Sequence, residues 1–253
     1  MAAQLEALCL DAHDPARVAA FWAGLLDWQQ VEPGRPGVGA ELVPTDDTGF
    51  RLRLLPSAEP RLVQNRMHFD LTSTSLQDQQ RTVARVLELG GRHVDVGQTE
   101  QDDHVVLADP EGNELCVIEP GNRFLADCGR LGALACEGSQ QVGYFWAAAL
   151  GWPLVWDQGE ETAVRSPHGG PKLTWGGRPF RPRTGRDRLH LDLVPGPQED
   201  QRSALERLLA LGAARAGSGP GGAGPGGPGS VRAGRLQLTD PDGNAFCLLD
   251  RPG

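Results

Sequence analysis

The segment FWAGLLDW at residues 21–28 returns as FWAAALGW at 145–152. Two further segments recur in the same order. The tetrapeptide HFDL at 68–71 returns as HLDL at 190–193, and DPEGNELCVIEPG at 109–121 returns as DPDGNAFCLLDRPG at 240–253. Three matched segments in one order indicate an internal repeat, which has to be recognised before a fold is assigned. The chain therefore consists of two copies of one unit of about 120 residues.

The spacing of these segments sets the expected domain limits. The first domain spans residues 1–122 and the second spans 129–253, with a join rich in turn residues between them. The second copy has nine more residues between its histidine and its Asp-Pro turn than the first. The Gly/Pro-rich tract at 217–230 accounts for them, and its composition predicts a loop outside the packed core.

The composition excludes several classes of protein. Of the 253 residues 39% are hydrophobic, which is enough for a packed core, and the formal net charge is -9. An acidic chain lacks the basic face that nucleic acids and anionic membranes require. No run of 18 apolar residues suggests a membrane helix. We therefore expect neither nucleic acid nor a membrane as a partner.

The N-terminus and the cysteines indicate a cytoplasmic protein. The first 15 residues lack a basic region and carry Glu6 and Asp11 within an apolar run, which is unlike a secretory signal. The five cysteines form no CxxC pair and are odd in number. Small buried thiols in a reducing compartment are thus expected, rather than disulfides or a zinc site.

Each half has a strand–helix–strands pattern that occurs twice. Residues 5–12 and 66–73 are short apolar runs typical of strands. Asp14-Pro15 supplies a helix N-cap and a proline suited to the first turn, and apolar residues follow at helical spacing. Ser75 caps a second helix that runs to about residue 89. The second half predicts helices near 140–150 and 199–211.

These residues resemble a known superfamily. Asp14-Pro15 followed by Phe21-Trp22, the His68-Phe-Asp strand start and the Asp-Pro-Glu-Gly-Asn-Glu segment at 109–114 are similar to motifs of the glyoxalase/bleomycin-resistance/extradiol-dioxygenase (vicinal oxygen chelate) superfamily. The resemblance covers nearly the whole chain as two tandem domains. It implies an α+β fold in which each domain has two βαβββ modules, forming a curled mixed sheet around a cleft.

The resemblance also implies a metal site in the first domain. Active members hold zinc, nickel, manganese or iron through imidazole and carboxylate ligands, and the ion polarises substrate oxygens. His68 matches the histidine of the second module, and Glu114 matches the glutamate of the last strand, which is also the catalytic candidate. The first-strand position falls on Ala7, for which Asp11 could substitute. No ligand occupies the fourth position at 51–55.

Structural explanations remain open for the same residues. His68 could be a hydrogen-bonded cleft histidine, and Glu114 could be an ordinary polar residue at a strand start. In the second half the matching positions are Leu131, His190 and Ala245, so that domain is expected to be metal-free. Trp156 and Trp175 lie on expected strands, where they line either a ligand cleft or the core.

Three functions compete at this stage. The first is a glyoxalase-like enzyme (a lyase, isomerase or dioxygenase) that transforms a small oxygenated molecule at His68 and Glu114. The second is a metal-independent binding protein of the bleomycin-resistance type, which sequesters an antibiotic. The third is a structural role with a vestigial cleft. The chain is expected to be a monomer or a homodimer. Fold alone does not decide among these functions.

Overall fold

The computed structural model describes residues 2–99, 102–177, 179–181, 187–216 and 234–251. Its helices are Pro15–Leu26 (α1), Leu76–Glu88 (α2), Gln140–Leu150 (α3) and Gln201–Ala210 (α4). The strands of the first half are Gln4–Ala12 (β1), Gln29–Val31 (β2), Ala40–Val43 (β3), Arg51–Pro56 (β4), Met67–Leu71 (β5), Arg92–His93 (β6), Val105–Ala108 (β7) and Glu114–Val117 (β8). Those of the second half are Leu131–Cys136 (β9), Leu154–Gln158 (β10), Glu161–Arg165 (β11), Lys172–Trp175 (β12), Leu189–Val194 (β13), Ala214–Arg215 (β14), Arg235–Thr239 (β15) and Ala245–Leu249 (β16).

The fourfold βαβββ repetition predicted from the sequence is confirmed. Each helix follows the first strand of its module, and three further strands follow the helix. Within every module the first strand pairs with the last strand in parallel, and the other two strands extend the sheet outward. The two halves therefore share one strand order, as the repeated segments require.

The helices begin where the sequence predicts. Asp14 caps α1 by accepting a 3.1 Å hydrogen bond from the backbone N–H of Arg17, and Pro15 occupies the first turn. Ser75 accepts the equivalent bond from Asp78 at α2. Val18, Phe21 and Trp22 belong to the buried apolar face of α1. These local signals fix each helix against its own module.

The modules assemble into two eight-stranded mixed sheets. The first sheet has the order β14-β15-β16-β13-β1-β4-β3-β2, and the second has the order β10-β11-β12-β9-β5-β8-β7-β6. Each sheet joins one module from each half, through antiparallel pairs of β1 with β13 and of β5 with β9. The sheets are thus exchanged between the halves, which the repeat in the sequence does not indicate.

The side chains of the repeated motifs, by contrast, connect the two modules of one half. Trp22 Nε1 donates a 3.2 Å hydrogen bond to Asp109 Oδ2, and Trp146 Nε1 donates an equal bond to Asp240 Oδ2. Asp109 also accepts bonds from the backbone N–H groups of Glu111 and Asn113. In each half the repeated Trp therefore donates a hydrogen bond to the Asp of the repeated Asp-Pro-x-Gly-Asn motif, which joins the two modules of that half. The turn needs glycine because Gly112 has φ +91°.

Two expectations concern other parts of the chain. The tract at 217–230 lies outside the described residues. No helix in the described ranges has both the length and the apolarity needed to cross a bilayer.

Candidate functional site

The second sheet has a polar face on the side away from the helices. Phe69, Leu115 and Leu134 point into the hydrophobic core, so the alternate residues point to the opposite side. Neighbouring Cα partners share a face, and the register connects Trp156, Ala163, Thr174, Ala135 and His68 in one row across five strands. We call this side of the second sheet the His68 face.

His68, Asp70 and Cys116 form a compact group on this face. His68 Nε2 lies 3.3 Å from Asp70 Oδ1, and one potential ligand atom of each of the three residues lies within 4.8 Å of the others. The His68 side chain is 34% exposed. Burial disfavours its charged form, but the Asp70 carboxylate outweighs burial and raises the pKa of His68 to about 10. The imidazole is therefore a cationic hydrogen-bond donor at neutral pH.

Glu114 lies beside His68 but has other partners. Register pairs Phe69 with Leu115 and Asp70 with Cys116 in parallel strands, which places His68 and Glu114 on the same face. The Glu114 carboxylate forms an ion pair with Arg61 and accepts a 3.3 Å hydrogen bond from the backbone N–H of Asn65. Only 3% of Glu114 is exposed. The carboxylate would have to leave Arg61 before it could ligate an ion.

The first sheet carries a related group on its equivalent side, which we call the His190 face. Register connects Val31, Glu41, Arg53, Cys9 and His190 in one row. Cys9 Sγ donates a 3.1 Å hydrogen bond to Asp192 Oδ2. Burial, followed by the Asp192 charge, raises the pKa of Cys9 to about 11, so this thiol stays protonated. The three ligand atoms of Cys9, His190 and Asp192 also lie within 4.8 Å of one another.

Several sequence expectations about the ligand positions were wrong for a structural reason. Ala7 and Asp11 lie on β1 in the first sheet, whereas His68 lies in the second. The residue of a first strand that faces His68 is Ala135, in the other half. His190 likewise does not face Leu131, which belongs to the second sheet, but faces Cys9. The exchange of modules between the halves causes all three differences.

The metal set implied by the resemblance fits these residues only in part. On the His68 face the four implied positions hold His68, Glu114, Ala135 and Thr174. Alanine cannot ligate, and Glu114 is engaged by Arg61. An imidazole alone is a weak metal site. No reaction step is therefore derived through an ion at this set.

The two faces differ most in how much side chain fills them. On the His190 face Arg53 forms ion pairs with Glu6, Glu41 and Asp192. Glu41 is 1% exposed and Arg53 is 2% exposed, so these side chains fill the space above the sheet. The matching positions on the His68 face are Ala163 and Thr174, both small. The two rows therefore differ in side-chain size, and Ala163 itself is 0% exposed.

An aromatic pair closes one end of the His68 face. Trp156 and Phe124 form an edge-to-face pair with ring centroids 5.4 Å apart, and Lys172 Nζ lies 4.6 Å from the Phe124 centroid. The indole Nε1 of Trp156 is buried and has no hydrogen-bond partner among the described residues. Trp175, in contrast, is 1% exposed and belongs to the core. The sequence did not decide whether either tryptophan lies in the core or at a cleft. In the structure Trp175 lies in the core and Trp156 lies at the end of the His68 face.

Four βαβββ modules, paired into two sheets that each display a polar face, define a protein of the vicinal oxygen chelate class. A family model described as a glyoxalase-like domain matches residues 7–118 and 133–249. The chain belongs to this glyoxalase-like domain family.

Solved structures share the architecture across the whole chain. Glyoxalase I from Zea mays is 14% identical, with a TM-score of 0.62, and the alignment covers 98% of this chain and 92% of that one. A candidate dioxygenase from Bacillus subtilis is also 14% identical, with a TM-score of 0.58 and coverage of 99% and 86%. Comparison with curated proteins finds no match. At these identities the likeness concerns the fold.

Proposed function

We propose that this protein binds a small aromatic molecule with oxygen substituents on the His68 face of the second sheet. The observation that carries the proposal is the contrast between the two faces. Glu41 and Arg53 fill the His190 face, whereas the equivalent positions of the His68 face hold the smaller side chains of Ala163 and Thr174. Ligand sites are concave regions with apolar walls and a few convergent polar groups.

The residues along the row suggest how the ligand lies. From Trp156 to His68 the row crosses four strand spacings, about 19 Å along the sheet at about 4.8 Å each, so a small ligand would contact one end of the row. Trp156 and Phe124 offer ring contacts at one end, with an unpaired indole N–H as a donor. His68 offers a charged donor at the other end. Oxygen substituents would accept these hydrogen bonds, which specifies an oxygenated rather than a purely apolar ligand.

The proposal is tested with a variant whose larger side chains fill the His68 face of the second sheet. The double variant Ala163→Glu/Thr174→Arg gives the His68 face the side chains that occupy the His190 face. A panel of aromatic hydroxy acids, catechols and quinones is screened against the wild type by thermal shift, and binding is then measured by calorimetry. The double variant should lose at least about 100-fold in affinity, equivalent to about 2.7 kcal/mol.

The matched control is Thr174→Ser, which keeps a small hydroxyl residue and should bind as the wild type does. The His190-face variant Val31→Ala controls for effects on the other sheet. Thermal unfolding checks that the double variant is folded. Unchanged affinity in a folded double variant would place the ligand elsewhere and would overturn the proposal.

A second candidate function is metal-assisted transformation, with a divalent ion at His68 and Glu114 and with Glu114 as the catalytic carboxylate. Its support is the shared face and adjacent register of these two residues. Zinc, nickel, manganese and iron are added separately, and Glu114→Gln is compared with the wild type. Turnover that needs the ion and Glu114 would favour an enzyme of the lyase, isomerase or dioxygenase type. Ligand affinity that survives chelation, without turnover, would favour a sequestering protein of the bleomycin-resistance type.

The remaining expectations belong to the same proposal. A net charge of -9 continues to argue against nucleic acid and anionic membranes as partners. Activity in the cytoplasm, as a monomer or a homodimer, stays a prediction.

A further inference from the structure

The same three-residue group occurs in both sheets. A histidine and an aspartate alternate on one strand, as His68 and Asp70 or as His190 and Asp192. A cysteine lies beside the aspartate on the parallel neighbouring strand: Asp70 pairs with Cys116, and Asp192 pairs with Cys247. The three ligand atoms of the second sheet lie within 4.8 Å of one another, whereas in the first sheet the sulfur that lies this close to His190 and Asp192 is that of Cys9.

In the first sheet a side chain of the protein supplies a cation to this group. The guanidinium of Arg235 contacts all three members. Its Nε lies 3.2 Å from Cys247 Sγ, and its terminal nitrogen lies 3.3 Å from Asp192 Oδ1 and 2.5 Å from His190 Nε2. In the first sheet a guanidinium thus lies against the histidine, the aspartate and the neighbouring cysteine.

The second sheet lacks that guanidinium. Register pairs Gln237 with Cys247 and Val106 with Cys116, so the position that matches Arg235 is His104, two residues before Val106. His104 precedes β7 and is not a member of the described His68 group. The three donors of the second sheet thus keep the arrangement of the first without its guanidinium, and His68 is accessible from outside.

We propose that His68, Asp70 and Cys116 form a binding site for one soft divalent cation, with zinc the best match to the donors. Nitrogen, oxygen and sulfur ligands are those that zinc uses, and three protein ligands leave its fourth position open toward the His68 face. Binding replaces the imidazolium and thiol protons by the ion and releases them to solvent. The site uses Asp70 and Cys116 in place of Glu114, which stays with Arg61.

The site shares His68 with the organic-ligand site proposed above, and metal binding is tested without that ligand. The full-length protein is stripped with a chelator, and Zn²⁺ uptake is measured by competition with a chromophoric chelator. Co²⁺ is then added as a spectroscopic probe, because a cobalt–thiolate bond gives a charge-transfer absorption that oxygen and nitrogen ligands do not give. We expect one equivalent of metal and this absorption.

Variants assign the ligands. Cys116→Ser should abolish the cobalt–thiolate absorption, and Asp70→Asn should weaken zinc binding at least about tenfold, since even an outer partner of a ligand is worth that much. Cys247→Ser is the matched control in the first sheet, and Cys128→Ser controls for a more accessible thiol. Both controls should keep the absorption and the stoichiometry.

The guanidinium comparison gives a second test. Arg235→Ala leaves Arg53 on Asp192 and should keep the stoichiometry at one equivalent, whereas His104→Arg should reduce zinc uptake. Absence of the cobalt–thiolate absorption in the wild type would overturn the proposal. So would zinc uptake that is unaffected by Cys116→Ser and Asp70→Asn but lost in Glu114→Gln.

Discussion

At the scale of single residues, the two aspartates of the His-x-Asp pairs have different environments. Asp192 is 1% exposed and forms ion pairs with Arg53 and Arg235. Asp70 has a 14% exposed side chain beside a histidine that is 34% exposed. The same residue type at equivalent positions is therefore structural in one sheet and accessible in the other.

This difference gives a stability prediction. Asp192→Asn removes the carboxylate from buried guanidinium groups and should lower the free energy of unfolding by about 3–5 kcal/mol, the usual cost of breaking a buried pair. Asp70→Asn is the matched control and should cost about 1 kcal/mol or less, because solvent reaches its partner. Urea denaturation measures both. Equal losses in the two variants would contradict the structural role of Asp192.

The same carboxylate predicts an acid dependence. Burial acts against ionisation of Asp192, but His190 and Arg235 outweigh it and hold the pKa of the carboxyl well below its usual value. The folded state therefore binds fewer protons than the unfolded state. Its stabilisation is complete above the ordinary aspartate pKa of 3.8 and is lost as the pH falls below that value. The stability gap between wild type and Asp192→Asn should narrow in acid; a gap that is constant down to about pH 2 would refute the linkage.

At the scale of elements, the sequence predicted most of what the structure shows. α3 was expected at 140–150 and spans Gln140–Leu150. α4 was expected at 199–211 and spans Gln201–Ala210, because Asp200 is its N-cap. The limits of the helices could be predicted because N-caps and apolar periodicity depend only on residues that are close in sequence. Cys9 and Cys116 are free and buried, as the sequence predicts. Their histidine and aspartate neighbours were not predictable, because these residues lie far away in sequence.

The packing of α3 on β11 yields a further prediction. A Cβ added to Gly143 would lie 2.5 Å from Thr162 Cβ, a distance that requires the helix to move. Gly143→Ala should therefore destabilise the protein by about 1–3 kcal/mol, although alanine favours the helix by about 1 kcal/mol. Gly24→Ala in α1 meets its nearest atom, a flexible Leu89 methyl, at 3.0 Å and should be neutral or stabilising. Thermal unfolding of the two variants distinguishes these outcomes.

At the scale of the whole molecule, the exchange between halves was the feature that the sequence did not predict. The repeated motifs encode contacts within a half, such as Trp22 with Asp109. The pairs of β1 with β13 and of β5 with β9 are backbone ladders between apolar strands. Such ladders are compatible with many side chains and leave little pattern in one sequence. The family fold was therefore predictable, whereas the composition of each site was not.

Separated halves test the exchange. Residues 1–122 alone would leave β1 and β5 each with an unpaired inner edge, and such edges drive association. We expect this fragment to form a homodimer in which β1 of one copy pairs with β5 of the other. Fragment 129–253 should likewise form a homodimer in which β9 of one copy pairs with β13 of the other. Light scattering after size-exclusion chromatography gives the mass. A well-folded monomeric half would show that the halves are self-sufficient domains.

Because of the exchange, the two sheets can form at different times during synthesis. The second sheet is built from one continuous stretch, Met67 to Trp175, while the first needs strands from both ends of the chain. The strand partner of Cys9 is His190. At about 5–20 residues per second, His190 emerges from the ribosome roughly 10–40 s after Cys9. During synthesis the His68 face can be complete while β1 still exposes its edge. The N-terminal strand is thus the segment of the nascent chain most in need of protection.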